Sequence, residues 1–250
     1  WGPDMADNDG PQLSVVVPIF NEAGNILPLA AEIRAALDGI CRFEILFVDD
    51  GSSDASAAEL QAAQKNDRAV RVFRHRKRAG KSAALFTAFH AARAPWIQTL
   101  DGDRQNDPAD VAKVWRALPP DSVGIVCGRR KRRNDGAVKW LSSRIANAVR
   151  RTLLRDDTPD TGCGFKLLRR DVAVRLPYFD GLHRFLPALV RRSGYGVSQV
   201  MVEDRPRTVG QSKYGFFGRL AVGIFDLFGV FWLLRRSNVI QADEISESAR

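Results

Sequence analysis

Cysteine and histidine are scarce in this sequence, with three residues of each among 250. The cysteines, Cys41, Cys127 and Cys163, are well separated and form no CxxC pair. An odd and sparse set of this kind favours reduced thiols and an intracellular compartment. The segment before the first apolar run is polar and rich in turn residues, so we expect no signal peptide there.

The sequence also lacks the two common glycine-rich phosphate loops. No Walker loop is present, and no GxGxxG follows the first apolar run, Leu13 to Phe20. This excludes the usual P-loop and dinucleotide-binding motifs. A nucleotidyltransferase is also disfavoured, because it usually needs a glycine-rich loop where this chain has Pro18-Ile19-Phe20-Asn21.

Basic residues, in contrast, are in excess. The formal net charge is +9, with 45% hydrophobic and 27% charged residues, which indicates a globular protein with an anionic partner. Ten Lys and Arg lie between Arg129 and Arg155 against one acid, and five more lie between Arg74 and Lys81. Nucleic acid would require steeply salt-dependent binding. We expect no nucleic-acid partner, because no recognition helix or aromatic-interleaved platform is visible.

Apolar runs alternate with helical patterns along the first half of the chain. This alternation predicts an α/β fold with a mostly parallel sheet flanked by helices. The predicted strands are 13–20, 43–48, 70–73, 96–100 and 123–127, and the predicted helices include 54–66, 81–93 and 107–118. Later helices are predicted at 138–154, 170–176 and 183–192, with strands after 164 and at 197–203.

Polar and acidic residues follow three of the predicted strands, at Asn21-Glu22, Asp49-Asp50 and Asp101-Gly102-Asp103. Parallel strands bring these ends to one edge of the sheet, where open α/β folds bind ligands. Asp101 and Asp103, with the Gln105 side chain two residues on, offer the oxygen ligands that Mg²⁺ or Mn²⁺ takes together with substrate phosphates. The alternative is a polar loop that caps the helix at Asp107-Pro108.

The apolar stretch from Phe216 to Leu234 is close to the length of a membrane span. Arg219 and Asp226 interrupt it, and ionisable residues are expensive in a spanning helix. We therefore predict two short amphipathic helices within 214–236 that lie at a membrane surface, with Arg235 and Arg236 near the headgroups. Packing against the domain is the alternative. Residues 11–213 would form the catalytic domain and 237–250 a polar tail.

These motifs resemble those of family 2 glycosyltransferases with the Rossmann-like GT-A fold. The resemblance rests on Ser14 to Glu22, Val48 to Asp54 and Asp101 to Asp103. Three further segments resemble the dolichyl- or polyprenyl-phosphate sugar synthases, the dolichol-phosphate mannose synthase group. They are Leu100 to Pro108, Asp160 to Lys166 and Arg207 to Tyr214. The resemblance covers the chain from about Leu13 to Leu234.

The resemblance implies an inverting, metal-dependent transfer of a hexose from a GDP- or UDP-sugar to a polyprenyl (dolichyl or undecaprenyl) phosphate. The hexose would be mannose, glucose or a uronic acid, and the enzyme would be peripheral on the cytoplasmic face of the inner membrane. The implied nucleotide-sugar-binding residues are Pro18, Phe20, Glu22, Asp50, Gly80, Lys81 and Asp101. The implied metal ligands are Asp101, Asp103 and Gln105, and the implied acceptor-phosphate ligands are Arg130, Arg144, Arg207 and Lys213. Asp103, Arg130 and Arg144 would be catalytic.

Two positions depart from the family pattern. Arg78 stands where the family usually has Asn, which affects donor contacts. Asp204 stands where close relatives often have His, which leaves the donor sugar open.

The residue types also favour an anionic acceptor. A sugar hydroxyl needs a general base, whereas a phosphate monoester is already an oxyanion at pH 7, since its second pKa is about 6. None of the histidines, His75, His90 and His183, is predicted in the convergent loops. The alternative is a family 2 transferase acting on a sugar hydroxyl. Arg130→Ala and Arg144→Ala would be severe for a lipid phosphate acceptor and mild for a hydroxyl.

Overall fold

A computed structural model describes residues 10–131, 153–154, 158–206 and 216–236. Its centre is one seven-stranded sheet with the order β3-β2-β1-β4-β6-β5-β7. The strands are β1 (Leu13–Ile19), β2 (Phe43–Asp49), β3 (Val70–Arg74), β4 (Trp96–Thr99), β5 (Val123–Arg130), β6 (Lys166–Arg169) and β7 (Gly196–Val202). Only β6 runs antiparallel to its neighbours, β4 and β5. The predicted α/β fold with a mostly parallel sheet is confirmed.

Helices cover both faces of this sheet. They are α1 (Ile26–Leu37), α2 (Ser56–Asn66), α3 (Lys81–Ala91), α4 (Pro108–Arg116), α5 (Arg170–Ala173), α6 (Leu186–Arg192) and α7 (Phe216–Arg235), with a 3₁₀ turn at Leu182–Arg184. Strand β1 has almost no exposed residue because it is covered on both sides, which explains its continuous β-branched run. Val15 and Val17 face the cluster that includes α1, and Val16 faces the cluster that includes α3.

The strand order places a crevice between β1 and β4. The chain runs outward from β1 to β2 and β3, and then returns to β4 on the other side of β1. Such a reversal opens a cleft at the carboxyl ends of the two strands. Gly102 closes its floor: a Cβ at this position would lie 2.8 Å from Ile19 Cδ1 and 3.2 Å from the Pro18 carbonyl oxygen. The loop after β4 therefore packs directly on the end of β1.

The C-terminal prediction of two short helices is wrong. Phe216–Arg235 is one continuous helix of 20 residues. A glycine inside a helix costs only about 1 kcal/mol, so the glycines of this stretch need not break it. Val230 is buried against the main domain, and Leu227, Phe231 and Leu234 pack on the same core cluster, which compensates for the poor local propensity. Within the described residues, every helix is too short or too polar to cross a lipid bilayer.

The predicted helix at 183–192 is also divided. A 3₁₀ turn ends at Arg184, and α6 begins at Leu186 with Pro187 in its first turn. Proline favours the first turn of a helix and disfavours the interior, so the break precedes it. Because of this division, His183 lies in the 3₁₀ turn and not in a regular α-helix. Three predictions fall on or next to residues outside the described ranges. They are the domain limits at 213 and 237 and the helix at 138–154.

An ion pair between Arg34 and Asp67 makes stability depend on pH. Arg34 donates to both Asp67 carboxylate oxygens at 2.5 Å, and the Ala69 amide donates at 2.8 Å. Burial alone would raise the pKa of Asp67, but the bonds from Arg34 and Ala69 outweigh it and hold the pKa below its usual value. A carboxyl group with a lowered folded-state pKa stabilises the protein above its unfolded pKa of about 3.9, and this contribution is lost as pH falls through the folded value.

We expect Asp67→Asn to lower the free energy of unfolding by about 1 kcal/mol at pH 7, since Arg34 is 42% exposed and water screens the pair. Urea unfolding at pH 7 and at pH 3 measures this, and the difference between variant and wild type should shrink at pH 3. Asp38→Asn is the control, because Asp38 is 76% exposed and lies 3.8 Å from Arg34. A difference that stays constant with pH would contradict the assignment.

Candidate active site

Hydrogen bonds join the loops after β1 and β2. The Asn21 and Glu22 amides donate to the Ser52 and Ser56 hydroxyls at 3.0 and 2.9 Å. In return, the Ser53 amide donates to Asn21 Oδ1 at 2.8 Å, with Asn21 in the left-handed region at φ 53°. These contacts bring two of the three predicted polar strand ends together at one edge of the sheet.

Asp50 shapes the loop that precedes α3. Its carboxylate accepts the Ala79 and Gly80 amides and lies against His75 Nδ1, each at 2.8 Å. The other ring nitrogen of His75 is 3.0 Å from Thr87 Oγ1. His75 therefore lies at the convergent edge, contrary to the sequence prediction, because β3 ends beside β2. The contact of Asp50 with base or ribose stays a prediction. In the structure, Asp50 fixes the backbone that leads into Lys81.

Asp101 and Lys81 form an ion pair across the crevice. Lys81 is the first residue of α3, and the Asp101 amide donates to Asn106 Oδ1 at 3.1 Å. Burial raises the pKa of Asp101, but the Lys81 ammonium, with smaller contributions from Lys166 and His183, outweighs this effect. The net pKa lies below its usual value, so this carboxylate is ionised at neutral pH.

Asp103 lies in a tight turn beside Asp101. Its Oδ1 accepts the Gln105 amide at 3.2 Å, and Arg104 between them has a φ of +61°. Arg104 pairs with Glu32 of α1, which holds the turn in this strained conformation. The Gln105 side chain donates to the Arg205 carbonyl oxygen at 3.4 Å. The predicted role of Gln105 as a metal ligand stays a prediction.

The loop before β6 packs on the Asp101 carboxylate. A Cβ at Gly164 would lie 2.4 to 2.5 Å from all three carboxyl atoms of Asp101, so glycine is required for this approach. The Thr99 hydroxyl donates to the Gly164 carbonyl oxygen at 2.5 Å and ties the loop to the end of β4. Two residues later, Lys166 is buried and donates to the Cys163 and Thr161 carbonyl oxygens.

Arg130 is held by a carboxylate that the sequence analysis gave no role. Arg130 Nε and Nη2 donate to the two oxygens of Asp160 at 2.8 and 2.9 Å, and Asp160 is buried. These hydrogen bonds raise the pKa of Arg130, so its charge is permanent. The pair fixes the direction of the guanidinium, and the acceptor-phosphate role of Arg130 stays a prediction. Arg144, Arg207 and Lys213 lie outside the described residues.

The residues predicted to bind the nucleotide lie on the β1 side of the crevice. The Arg78 guanidinium carbon is 4.2 Å from the centre of the Phe20 ring. Glu22 Oε2 accepts the Asn25 side-chain amide at 2.9 Å, and Gly80 donates to Asp50. The Pro18 carbonyl oxygen and the Glu22 side chain lie beside Gly102, next to Asp101. The nucleotide-binding roles of Pro18, Phe20 and Glu22 stay predictions. Arg78, the departure from the family pattern, stacks on Phe20.

The sequence pattern predicted no site role for Asp160, Lys166 or His183, although Asp160 and Lys166 form the two ends of one of the segments that carry the resemblance. His183 Nδ1 is 2.8 Å from Ser82 Oγ, a contact between residues 101 positions apart, and no local pattern could have shown it. Lys166 carried a detectable signal, because a lysine at the start of an apolar run is unusual in a buried strand. All three lie at the same edge as Asp101.

The donor set fits a divalent cation bound mainly through substrate. No group of three or more His, Cys, Asp or Glu among the described residues could hold a metal by itself. The loop from Asp101 to Asp103 offers two carboxylates, which suits Mg²⁺ or Mn²⁺ completed by phosphate oxygens and water. The close approach of the Gly164 backbone fixes the position of the Asp101 carboxylate in this loop.

Two known proteins are similar to this chain in sequence. The chain is 32% identical over 229 residues to a dodecaprenyl-phosphate galacturonate synthase of Rhizobium johnstonii, covering 90% of this chain and 68% of that protein. It is 30% identical to an undecaprenyl-phosphate 4-deoxy-4-formamido-L-arabinose transferase of Shewanella sediminis, covering 86% of this chain and 65% of the relative. The chain thus spans about two thirds of the length of these relatives. Neither is a mannosyltransferase, so the narrower mannose resemblance receives no support from them.

Solved structures show the same fold. Glucosyl-3-phosphoglycerate synthase from Mycobacterium tuberculosis, in complex with Mn²⁺, UDP-glucose and phosphoglyceric acid, superposes with a TM-score of 0.66. The identity is 20%, and the match covers 90% of this chain and 80% of that one. Residues 14–176 match the model of glycosyl transferase family 2, which includes the crevice, the Asp101 loop and the Arg130–Asp160 pair. With this match and the relative at 32% identity, the chain belongs to glycosyl transferase family 2.

Proposed function

We propose that this chain is an inverting glycosyltransferase that moves a hexose from a GDP- or UDP-sugar to a polyprenyl phosphate with Mg²⁺ or Mn²⁺. The observation that carries the proposal is the Asp101–Asp103 loop, which lies in the β1–β4 crevice with Lys81 paired to Asp101. The two relatives, a dodecaprenyl-phosphate galacturonate synthase and an undecaprenyl-phosphate 4-deoxy-4-formamido-L-arabinose transferase, support a polyprenyl phosphate acceptor.

Asp101 and Asp103 would hold the cation, which would neutralise charge on the leaving diphosphate. Lys81 provides a second positive group at the same place, and its position at the start of α3 is fixed by the loop that Asp50 binds. Preorganised positive charge of this kind stabilises a developing anion without reorganisation during the reaction.

The acceptor needs positioning rather than deprotonation. A phosphate oxygen would attack C1 of the sugar from the face opposite the diphosphate, so that the new C1–O bond forms as the old one breaks and the configuration inverts. Arg130 can grip such a phosphate because its planar fork offers further N–H groups beyond those that Asp160 uses. Asp160 would set the direction of that fork.

The proposal is tested by donor consumption. Purified protein is incubated with Mn²⁺ and each of GDP-mannose, UDP-glucose and UDP-galacturonate, with and without undecaprenyl phosphate. We expect nucleoside diphosphate release only when the lipid phosphate is present, together with a sugar–lipid product, and no release after the metal is chelated. Release with a sugar acceptor but not with lipid phosphate would contradict the proposal.

Arg130→Lys tests the acceptor contact. Lysine keeps the charge but loses the fork, so we expect the KM for undecaprenyl phosphate to rise at least about tenfold while the KM for the donor stays the same. Steady-state kinetics with each substrate varied in turn measures this. Arg129→Lys is the matched control, because Arg129 is the exposed neighbour on β5. A selective rise in the donor KM would contradict this assignment and indicate that Arg130 contacts the nucleotide sugar.

The exposed face of α7 suits the surface of a membrane. Phe225, Phe228 and Trp232 are 80%, 59% and 61% exposed, and their spacing places them on one side of the helix. Arg235 and Arg236 follow at its end, and a basic residue near anionic lipid contributes roughly 1 kcal/mol. This arrangement supports peripheral binding to the surface of a membrane, where a polyprenyl acceptor would be reached.

Replacing Phe225, Phe228 and Trp232 together with serine should lower the fraction of protein that floats with phosphatidylglycerol-containing vesicles at least about tenfold, since it removes the apolar anchor. Met201→Ser is the control, because Met201 is 48% exposed on β7, away from α7. Undiminished flotation of the triple variant would exclude α7 as the anchor.

A further inference from the structure

The turn that carries Asp103 has a strained backbone. Arg104, which follows Asp103, has a φ of +61°, in the left-handed region that residues other than glycine rarely adopt. Such a conformation persists only where surrounding contacts hold it in place. Since Asp103 accepts the Gln105 amide across this turn, the direction of its carboxylate depends on the contacts that keep Arg104 in this conformation.

Glu32 of α1 binds the turn from outside through two arginines. Its Oε1 accepts hydrogen bonds from Arg104 Nε, at 3.2 Å, and from Arg104 Nη2. Its Oε2 accepts from Arg205 Nη1 at 2.7 Å. Helix α1 is a firm support, because Leu29 and Ile33 beside Glu32 are fully buried in the core. One carboxylate therefore joins a guanidinium of the turn to a guanidinium of the segment that follows β7.

Arg205 also contacts the other end of the turn. Its Nη2 lies 2.8 Å from Asp107 Oδ1, an acceptor that an asparagine would also provide. Its amide donates to the Gln105 carbonyl oxygen at 2.9 Å, and the Gln105 side chain donates back to its carbonyl oxygen at 3.4 Å. The backbone next to Arg205 pairs with Asn106, whose side chain accepts the Asp101 amide at 3.1 Å. The loop that carries both carboxylates is thus bound at several points by residues remote in sequence.

Folding stability is a poor explanation for this cluster of charges. The side chains of Arg104, Glu32 and Arg205 are 25%, 28% and 39% exposed, and ion pairs that water reaches contribute little to stability. A planar guanidinium that uses separate nitrogens for two acceptors does, however, fix direction. Arg205 does this with Glu32 and Asp107. The arrangement suits the orientation of the turn more than the stability of the fold.

We propose that Glu32 and Arg205 are positioning residues that hold the turn at Asp103 in the geometry that binds the cation. The inference rests on the proposed function, because it takes Asp101 and Asp103 as the residues that hold the cation. Glu32 and Arg205 act on Asp103 through Arg104 and through the backbone of the residue that follows it. Outer partners that orient the ligands of a metal change its affinity by roughly ten- to a hundredfold when they are replaced.

Calorimetric titration of Mn²⁺ into protein saturated with UDP tests this role without turnover. Glu32→Gln offers one acceptor oxygen where two arginines need one each, so we expect the apparent Kd for Mn²⁺ to rise at least about tenfold. Arg205→Met should have a similar effect, and Arg205→Lys a smaller one, because lysine keeps the charge without the fork. The double variant Glu32→Gln/Arg205→Met should bind Mn²⁺ no more weakly than either single variant, since both residues act through one cluster.

Asp171→Asn is the matched control. Asp171 of α5 is also a carboxylate shared by two arginines, with Arg169 Nε at 3.3 Å and Arg175 Nη2 at 3.4 Å. It lies at the opposite edge of the sheet, because Arg169 pairs with Trp96 at the start of β4 and the Asp101 loop follows the end of that strand. We expect Asp171→Asn to keep the wild-type Kd for Mn²⁺.

Thermal unfolding in EDTA, measured beside the titrations, separates orientation from stability. We expect small and similar shifts in Tm for Glu32→Gln and Asp171→Asn, with a loss of Mn²⁺ affinity in Glu32→Gln alone. Unchanged Mn²⁺ affinity in Glu32→Gln and Arg205→Met, or an equal loss in Asp171→Asn, would overturn the positioning role and leave the proposed function intact. If wild type bound UDP equally well in Mn²⁺ and in EDTA, the cation site of the proposed function would fail together with it.

Discussion

Asp101→Asn is expected to reduce metal-dependent donor consumption by about a thousandfold. The substitution keeps the shape of the side chain and removes the charge that would hold the cation, while Lys81 remains beside it without its partner. Losing the group that positions a catalytic cation removes several kcal/mol of transition-state stabilisation, and about 4 kcal/mol corresponds to three orders of magnitude. Release of nucleoside diphosphate in the presence of undecaprenyl phosphate measures the effect.

The matched control lies six residues further along the same loop. Asp107 caps α4 by accepting the Ala109 amide at 2.8 Å, and asparagine caps a helix about equally well. Asp107→Asn should therefore keep its activity within a few fold. Calorimetric titration with Mn²⁺ and UDP separates binding from chemistry, because Asp101→Asn should also lose the Mn²⁺ dependence of UDP binding. If Asp101→Asn retained Mn²⁺-dependent UDP binding, the cation would have to be held elsewhere.

Gly164→Ala should be the second most damaging change, with activity lowered about a hundredfold. The new Cβ would lie 2.4 to 2.5 Å from the Asp101 carboxyl group, a distance that real structures do not tolerate. Asp101 must move, because the Gly164 backbone is tied to Thr99 by a hydrogen bond of 2.5 Å. A shift of about 1 Å in a catalytic group can cost a hundredfold in rate. The effect on stability should be smaller, about 1 to 3 kcal/mol, as for other overpacked sites.

Gly162→Ala separates the clash from a general effect on this loop. A Cβ at Gly162 would have its nearest contacts at 3.8 Å to Asp160 and 3.9 Å to Arg130, which are ordinary van der Waals distances. We expect this variant to keep most of its activity. Thermal unfolding of both variants, measured beside donor consumption, tests whether Gly164→Ala loses activity through displacement of Asp101. Equal losses in the two variants would point to the loop backbone instead.

Much of the fold and part of the site follow from local sequence patterns. Apolar runs bounded by turn residues located β1 to β5, and the turn chemistry at Asp49-Asp50 and Asp101-Gly102-Asp103 marked the strand ends. A parallel sheet then requires these ends to share one edge, which the structure confirms. Family membership is also visible in the sequence, because its motifs lie within contiguous segments.

Only the tertiary structure decided which charges meet. Lys81 with Asp101, Arg130 with Asp160 and Ser82 with His183 join residues 20, 30 and 101 positions apart, and their contacts depend on how the helices and loops pack. The continuity of α7 was likewise decided by burial of Val230 against the domain and not by helix propensity. Periodicity and turn signals are properties of neighbouring residues, so the sequence by itself determined the elements and the polar ends of the strands. Ion pairing and burial depend on distance in space, and these arise only when the chain is folded.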